Sequence, residues 1–225
     1  MEGFRRHDLV WLDPDADMAT LLGDDEHAEI ASSWIRQNWP LVVARQPDEA
    51  ARQAGYMQLG ITLPSAPARS RVSLRVPHTA IITYSRPLLL KDAIAYAPQA
   101  WRDQLVAVSE ICEVNTVVAR VYGSLSTQAF TSQNYVDDSS DVDVLFECSK
   151  DTQLRKLFDG LQALAEQTPR LDGEVIATSG WAVAWRELAA ALSAGTQGKV
   201  LAKSYNEARL LTLAQLFEQQ LTAPA

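Results

Sequence analysis

Two short apolar segments in the middle of the chain restrict its possible folds more than any other feature. Residues 116–122 and 141–147 are rich in β-branched and apolar side chains, a composition typical of buried strands. The first segment runs into Gly123-Ser124, a dipeptide that makes a sharp turn and can start a helix. We therefore expect a strand, a turn, a helix and a second strand in this order, and hence a sheet.

Amphipathic periodicity around these strands predicts further helices and a third strand. Four helices are expected, at residues 101–113, 154–164, 185–192 and 207–221. A third strand is expected at residues 171–177. This alternation predicts a domain with a small mixed sheet flanked by helices.

The first third of the chain has a different rhythm. Short extended segments follow one another closely and are interrupted by proline, as at Pro40, Pro64 and Pro77. This pattern predicts a small α+β unit of close strands, with one helix expected at residues 24–35. The chain is therefore predicted to be an α+β protein with domains at residues 1–87 and 88–225.

The charge balance argues against nucleic acid and membrane partners. The 225 residues include 20 Lys and Arg against 28 Asp and Glu, so the formal net charge at pH 7 is −8. Binding to nucleic acid or to an anionic membrane surface depends on an excess of cationic side chains. The sequence shows no secretory signal and no apolar segment long enough to span a bilayer. These observations predict a soluble cytoplasmic protein.

The cysteines and histidines form no recognisable metal or disulfide pattern. Cys112 and Cys148 are too few for a disulfide framework or a four-cysteine zinc site. His7, His27 and His78 lie far apart and are interpreted as surface or loop residues. The chemistry of the chain must be sought in other residue types.

The Asp141-Val142-Asp143 segment predicts a metal site. Side chains two apart on a strand point to the same face, so Asp141 and Asp143 are expected side by side. Two adjacent carboxylates raise one another's pKa unless a cation lies between them. Mg²⁺ suits such a site, because it usually binds one or two carboxylates together with substrate phosphates. A helix that starts at Gly123-Ser124 would favour a phosphate at its free N–H groups.

Together, the Gly-Ser turn and the Asp-x-Asp pair resemble the signature of the nucleotidyltransferase superfamily, which has the polymerase-β-like fold. The resemblance covers residues 117–177, and sixteen residues separate Ser124 from Asp141. It implies that the Gly-Ser turn contacts a triphosphate and that the Asp pair binds magnesium. A third carboxylate on a later strand usually completes such a site. Here Asp172 is the match, with Glu174 as the alternative on the same face.

A narrower resemblance covers more of the chain. Residues 6–12, 40–45, 171–174 and 181–188 are similar to the malonate decarboxylase holo-acyl-carrier-protein synthases, also called phosphoribosyl-dephospho-CoA transferases. The resemblance implies a transferase that moves a phosphoribosyl-dephospho-CoA group from its triphosphate precursor to a serine of the apo acyl carrier protein subunit. Pyrophosphate would be released and Mg²⁺ would be the cofactor.

This family resemblance assigns roles to the candidate residues. Asp141 and Asp143 would hold Mg²⁺, and Asp172 would join them or accept the proton of the serine. The candidates for binding the phosphates that leave are Gly123, Ser124 and Lys203, with Arg120 and Lys199 as weaker ones. Because carrier proteins are usually acidic, a local basic surface is also expected, formed by Arg45, Arg69, Arg71 and Arg75.

Two other functions are compatible with the sequence. The first is a nucleotidyltransferase that uses an ordinary NTP to modify a small molecule or another protein. The second is a non-catalytic relative with the same fold, against which the intact Asp141 and Asp143 argue. Outside the site, Asp137 and Asp138 are interpreted as a solvated loop, and Trp181 and Trp185 as core residues.

Overall fold

The structure, a computed structural model, describes residues 3–16, 28–63, 71–137, 140–194 and 198–218. The described helices are α1 (Ala28–Arg36), α2 (Glu49–Gln53), α3 (Leu90–Ala93), α4 (Arg102–Val114), α5 (Gly123–Thr131), α6 (Leu154–Ala163), α7 (Trp185–Ser193) and α8 (Leu213–Glu218). The described strands are β1 (Leu9–Leu12), β2 (Leu41–Val43), β3 (Tyr56–Thr62), β4 (Arg71–Pro77), β5 (Ile81–Ser85), β6 (Leu88–Leu89), β7 (Val117–Tyr122), β8 (Val142–Cys148), β9 (Leu171–Ile176), β10 (Ala182–Ala184), β11 (Lys199–Lys203) and β12 (Ala208–Thr212). None of the helices in these ranges is long and apolar enough to cross a membrane.

The chain divides into two compact units. The N-terminal unit comprises Met1–Pro87 together with Phe130–Gln133 and Tyr205–Glu207, and the C-terminal unit comprises the remaining residues. Each unit is built on its own sheet, and helices occur along the whole chain. The predicted α+β class is confirmed.

A five-stranded antiparallel sheet forms the N-terminal unit, in the order β4-β3-β2-β1-β5. Its edge strand β4 alternates between buried residues (Val72, Leu74 and Val76) and exposed ones (Arg71, Ser73 and Arg75). Because side chains alternate along a strand, one side of this sheet supplies core residues and the other faces solvent at β4.

A seven-stranded mixed sheet forms the C-terminal unit, in the order β12-β11-β10-β9-β8-β7-β6. β8 and β9 are parallel, whereas the other neighbouring strands are antiparallel. A parallel pair needs a crossover connection, and α6 lies in the connection between these two strands. The site residues are distributed around this pair.

The two faces of the seven-stranded sheet differ in chemistry. One face supplies core residues, among them Val121, Val144, Phe146, Val175, Val183 and Val200. Helices α4, α6 and α7 add Leu105, Leu157 and Trp185 to the same core. Burial of each such side chain stabilises the fold by about 1.5–3 kcal/mol. The alternate strand positions form what we call the polar face, which carries Arg120, Glu147, Glu174 and Lys203.

A glycine makes the close contact between β8 and β9 possible. Gly173 in β9 has a φ of +143°, a conformation that residues with a side chain rarely adopt. A Cβ atom at this position would collide with the backbone carbonyl of Val144 in β8. The strand that carries Asp172 can therefore lie directly beside β8 only because residue 173 has no side chain.

The predicted helix at residues 207–221 is wrong in its first part. Ala208–Thr212 form strand β12, which pairs with β11, and α8 begins only at Leu213. Leu211 is 4% exposed on the core face, so tertiary burial and pairing at the sheet edge outweigh the helical propensity of this segment. Residues 219–221, the end of that predicted helix, and residues 24–27, the start of the predicted N-terminal helix, lie outside the described ranges.

Candidate active site

Three strands bring the predicted site residues to one edge of the seven-stranded sheet. β7 ends where β8 begins, and Tyr122 is the register partner of Asp143. The parallel pairing of β8 and β9 makes Asp172 the register partner of Asp143 on the other side. Asp141 lies immediately before β8, where the N–H of Val142 donates to the carbonyl of Arg170 at 3.0 Å.

The Gly-Ser turn lies directly against one of these carboxylates. Gly123 is the first residue of α5 and has a φ of +68°. A Cβ atom at Gly123 would collide with Oδ2 of Asp143, so the carboxylate occupies space that any other residue would fill. Ser124, predicted as a cap, instead lies buried in the first turn of the helix. The start of α5, which favours negative charge, is thus placed beside the acidic pair.

Asp172 is fixed by its neighbours on both sides. Its Oδ2 accepts a hydrogen bond from Nη2 of Arg170 at 3.1 Å, and its Oδ1 accepts one from the N–H of Gly173 at 2.8 Å. The side chain is 37% exposed, so its carboxylate is held in one orientation and is still accessible to solvent. This arrangement suits a group that receives a proton or orients another ligand.

The alternative third carboxylate, Glu174, already has a cation partner. Its Oε1 lies 2.8 Å from Nζ of Lys203, and the Glu174 side chain is 6% exposed. A second pair on the polar face joins Nε of Arg120 to Oε2 of Glu147 at 3.2 Å. Lys203 and Arg120, both considered for phosphate binding, are therefore positioned by carboxylates on the polar face. Lys199, also considered for phosphate binding, is exposed at the start of β11.

Two hydrogen bonds join Asp137 to Ser140, just before β8. The N–H of Asp137 donates to Oγ of Ser140 at 3.0 Å, and Ser140 Oγ donates to Oδ1 of Asp137 at 3.2 Å. Ser140 is buried, whereas Asp137 is exposed as expected for a solvated loop. Asp138 lies outside the described residues. These hydrogen bonds fix the side chain of Ser140, the residue before Asp141.

A buried tyrosine lies in the same connection. Gln128 in α5 accepts hydrogen bonds at Oε1 from the N–H groups of Tyr135 and Val136, at 3.0 and 3.2 Å. Within the described part of the chain, the Tyr135 hydroxyl is buried and has no hydrogen-bond partner. Burial raises the pKa of Tyr135 to about 12. The phenol is therefore protonated at neutral pH.

The cysteines contribute no nucleophile to this unit. Burial raises the pKa of Cys112 and of Cys148 to about 12, so both thiols stay protonated at neutral pH. A thiol is a weak nucleophile compared with a thiolate. His27 falls outside the described ranges, while His7 and His78 belong to the N-terminal unit.

The donors at the sheet edge are oxygen atoms, the ligand type that Mg²⁺ prefers. Across residues 3–16, 28–63, 71–137, 140–194 and 198–218, no three His, Cys, Asp or Glu side chains are grouped so that they could hold a metal ion. A metal at this edge would therefore need oxygen ligands from a substrate in addition to protein carboxylates.

The structure thus brings Asp143, Asp172 and Gly123 together, with Asp141 and Ser124 adjacent in sequence. Lys203 is brought to Glu174 instead of to this group. Sequence reasoning missed the roles of Arg170 and Glu147, which bind Asp172 and Arg120. Arg170 could have been found from its position two residues before Asp172. The Arg120–Glu147 contact joins residues far apart in sequence and depends on the strand register.

Two domain models of one known family match the chain, one for each part of it. Residues 89–214 match the family described as phosphoribosyl-dephospho-CoA transferase MdcG, C-terminal domain. Residues 5–87 match the N-terminal domain of the same family.

Curated relatives carry the same description. The chain is 36% identical over 210 residues to a phosphoribosyl-dephospho-CoA transferase of Bradyrhizobium diazoefficiens, an alignment that covers 92% of this chain and 89% of the relative. It is 34% identical over 219 residues to a protein of the same name from Xanthomonas campestris pv. campestris, covering 97% of this chain and 99% of the relative. No solved structure matches the chain significantly.

Proposed function

Because the chain belongs to the phosphoribosyl-dephospho-CoA transferase family, we propose that it modifies the apo acyl carrier protein subunit of malonate decarboxylase. The donor would be triphosphoribosyl-dephospho-CoA and the acceptor a serine hydroxyl. The serine oxygen forms a bond to the α-phosphorus, the bond from that phosphorus to the oxygen bridging to the β-phosphate breaks, and pyrophosphate leaves. Catalysis belongs to the domain at residues 88–225 in this proposal.

The observation that supports this chemistry is that the N-terminus of α5 lies beside Asp143, which is in register with Asp172. Gly123 at the start of α5 touches Asp143, and Asp143 is in register with Asp172. Nucleotidyl-type transfer needs groups that bind phosphate next to groups that bind the acceptor oxygen and a cation. The sheet edge offers both within neighbouring strands.

Mg²⁺ is the proposed cofactor, and the residues present suit it. Asp141 and Asp143 would hold the ion together with oxygen atoms of the substrate, since the described residues do not group a third carboxylate with them as a metal ligand. The absence of a side chain at Gly123 leaves the carboxylate of Asp143 room beside the helix start. When bound, such an ion neutralises charge on the phosphates.

The chain's own groups would orient the two substrates. The N–H groups of Gly123 and Ser124, in the first turn of α5, would donate to the phosphates that leave. Lys203, kept on the polar face by Glu174, would supply a positive charge to the same phosphates. Asp172, fixed by Arg170 and by the N–H of Gly173, would accept the proton of the serine.

Mass spectrometry of the carrier protein tests this proposal. Apo carrier is incubated with triphosphoribosyl-dephospho-CoA, Mg²⁺ and either wild type, Asp141→Asn or Asp143→Asn. We expect the carrier to gain the prosthetic-group mass with wild type and to stay unmodified with either variant. Asp159→Asn on α6 is the matched control, because Asp159 is exposed and lies outside the site; this variant should modify the carrier normally.

Two outcomes would contradict the proposal. Unmodified carrier after incubation with wild type would remove the assigned reaction. Transfer of label from an ordinary NTP to the carrier or to a small molecule would favour the nucleotidyltransferase alternative. Full activity of both Asp variants would remove the assigned metal pair while leaving the transferase function in place.

A further inference from the structure

A cleft of about 330 Å³ opens on the N-terminal unit. The carboxylates of the candidate active site belong to the other unit. It lies where the β2–α2 connection meets strands β3 and β4. The side chains and backbone that line it include Arg45, Gln46, Asp48, Tyr56, Gln58 and Arg75. The proposed transfer reaction uses none of these residues.

The wall of the cleft is fixed by a buried glutamine. Gln46 is 3% exposed, and its Nε2 donates to the carbonyls of Ala44 and Gln58 at 2.8 and 2.7 Å. Its Oε1 accepts a hydrogen bond from the N–H of Gln58 at 2.7 Å, and its carbonyl accepts one from Nη1 of Arg52 at 2.6 Å. The backbone beside Arg45 is therefore held in one position, so the cleft is preformed.

Positive charge is in excess around the cleft. Arg75 lies 3.0 Å from Asp48, so that pair is close to neutral. Arg45 lines the cleft and is exposed. Arg71 is also exposed, four residues before Arg75 and on the same face of β4. In the described residues neither of these guanidinium groups makes a hydrogen bond or an ion pair. Arg69, also expected in this basic surface, lies outside the described residues.

An exposed aromatic ring borders the same charges. Tyr56 at the start of β3 lines the cleft and is 41% exposed. Tyr and Arg are the residue types that most often dominate the binding energy of protein interfaces, because both bury a large area and still donate hydrogen bonds. A small cleft rimmed by Arg and Tyr is therefore suited to a carboxylate-bearing protein surface.

We infer that this basic cleft, lined by Arg45, Tyr56 and Arg75, forms with the exposed Arg71 farther along β4 the docking surface for the acidic face of the carrier protein. The inference rests on the proposed function for the identity of the partner. The chain as a whole has a formal net charge of −8, so it repels an acidic partner at long range. A local excess of arginine is needed to overcome that repulsion, and complementary charge chiefly speeds association and selects the partner.

Steady-state kinetics with the apo carrier test the inference. In Arg45→Glu/Arg71→Glu, we expect the KM for the carrier to rise by about tenfold or more at low salt, a change that two reversed interface charges can produce. The kcat and the KM for triphosphoribosyl-dephospho-CoA should stay at the wild-type values. The KM for the carrier should increase with NaCl in wild type and much less in the variant, because the screened attraction has been removed.

Matched variants separate docking from general charge effects. Arg155→Glu reverses an exposed charge on α6 of the C-terminal unit and should leave every constant unchanged. Tyr56→Ala, which keeps the charges, should also raise the KM for the carrier.

An unchanged carrier KM in the double variant overturns the docking surface while wild-type transfer still supports the proposed function. A rise in the KM of the donor instead would mean that the cleft binds the small substrate. If wild type does not modify the carrier, the proposed function is wrong, and so is the assignment of the carrier protein as the partner.

Discussion

The ion pair between Glu174 and Lys203 joins a buried carboxylate to the side chain that we propose for phosphate binding. The carboxylate is 6% exposed, so it depends on the ammonium group 2.8 Å away for its stability. Removing the cation alone leaves a buried charge, whereas removing both charges does not. Variants of the pair can therefore separate its contribution to stability from the proposed phosphate binding.

We predict that Lys203→Met lowers the free energy of unfolding by about 3 kcal/mol, because the carboxylate of Glu174 is left buried and unpaired. Lys203→Met/Glu174→Gln should recover most of this loss in urea denaturation. Both variants should show a KM for triphosphoribosyl-dephospho-CoA raised by about tenfold, since a charge-assisted contact to phosphate is missing. A donor KM that recovers together with stability would mean that Lys203 acts only structurally.

The buried hydroxyl of Tyr135 predicts a second effect on stability. Tyr135→Phe should raise the free energy of unfolding by about 1 kcal/mol, because a buried donor with no partner in the described residues is removed. The pKa of Tyr135 is about 12 in the fold against an ordinary 10.0, so the folded state holds this proton more tightly. Because the unfolded chain loses this proton near pH 10 and the fold retains it up to about pH 12, the stability of wild type is unaffected by this group below pH 10 and falls as pH rises towards 12.

Urea denaturation between pH 9 and pH 12 tests whether stability falls with rising pH as predicted. This range covers the interval between the ordinary tyrosine pKa of 10.0 and the value of Tyr135 in the fold. Wild type should lose stability more steeply with rising pH than Tyr135→Phe. Tyr96→Phe is the control, because Tyr96 is 47% exposed and should behave like wild type. Equal slopes for wild type and Tyr135→Phe would contradict the buried position of the phenol.

The strands and helices around the site were predictable to different degrees. β7 and β8 followed from dense β-branched composition, and α4, α6 and α7 from apolar spacing, because burial on one face imposes both patterns. β11 and β12 were missed, since a short edge hairpin carries a weak periodic signal and its second strand resembles a helix in composition.

Within the candidate site, local patterns were more informative than long-range contacts. The proximity of Gly123 to Asp143 is a consequence of strand pairing that the Gly-Ser and Asp-x-Asp spacing suggested. The partner of Lys203 was not predictable, because Glu174 and Lys203 lie on strands separated by β10 in the sheet. Such contacts depend on sheet order, which composition does not determine.

The contact between the start of α5 and β8 gives a prediction about these two elements. Gly123→Ala should abolish most transfer activity, because the new Cβ displaces the Asp143 carboxylate and the φ of +68° is strained for alanine. Gly180→Ala is the matched control: Gly180 has a φ of +84° but no atom within 4 Å of an added Cβ. Both variants should lose about 1 kcal/mol of stability from the backbone strain. Equal activity in the two would show that Asp143 does not need this contact.

For the molecule as a whole, the proposed Mg²⁺ site predicts a gain in stability on adding the ion, since a ligand that binds only the folded state stabilises it. If Asp141 and Asp143 hold Mg²⁺, wild type should gain about 1.4 kcal/mol when the free ion is at about ten times its dissociation constant. Asp141→Asn should show a much smaller shift of the thermal midpoint. Ca²⁺ and choline chloride at equal ionic strength separate a specific effect from screening of the net charge of −8. Identical shifts in wild type and variant would contradict a Mg²⁺ site at the acidic pair.

The parallel pairing of β8 and β9 has a geometric consequence for how such a site can be built. Both strands start at the same edge of the sheet, so Asp143 and Asp172 are side by side. If the chain returned through a hairpin instead, Asp172 would lie near Glu147 at the far end of β8, roughly 13 Å from Asp143 along the strand at about 3.3 Å per residue. The crossover that contains α6, which holds none of the proposed catalytic groups, therefore acts as a spacer that folds the polypeptide back by one strand length. Shortening that spacer would dismantle the carboxylate cluster without replacing any of its members.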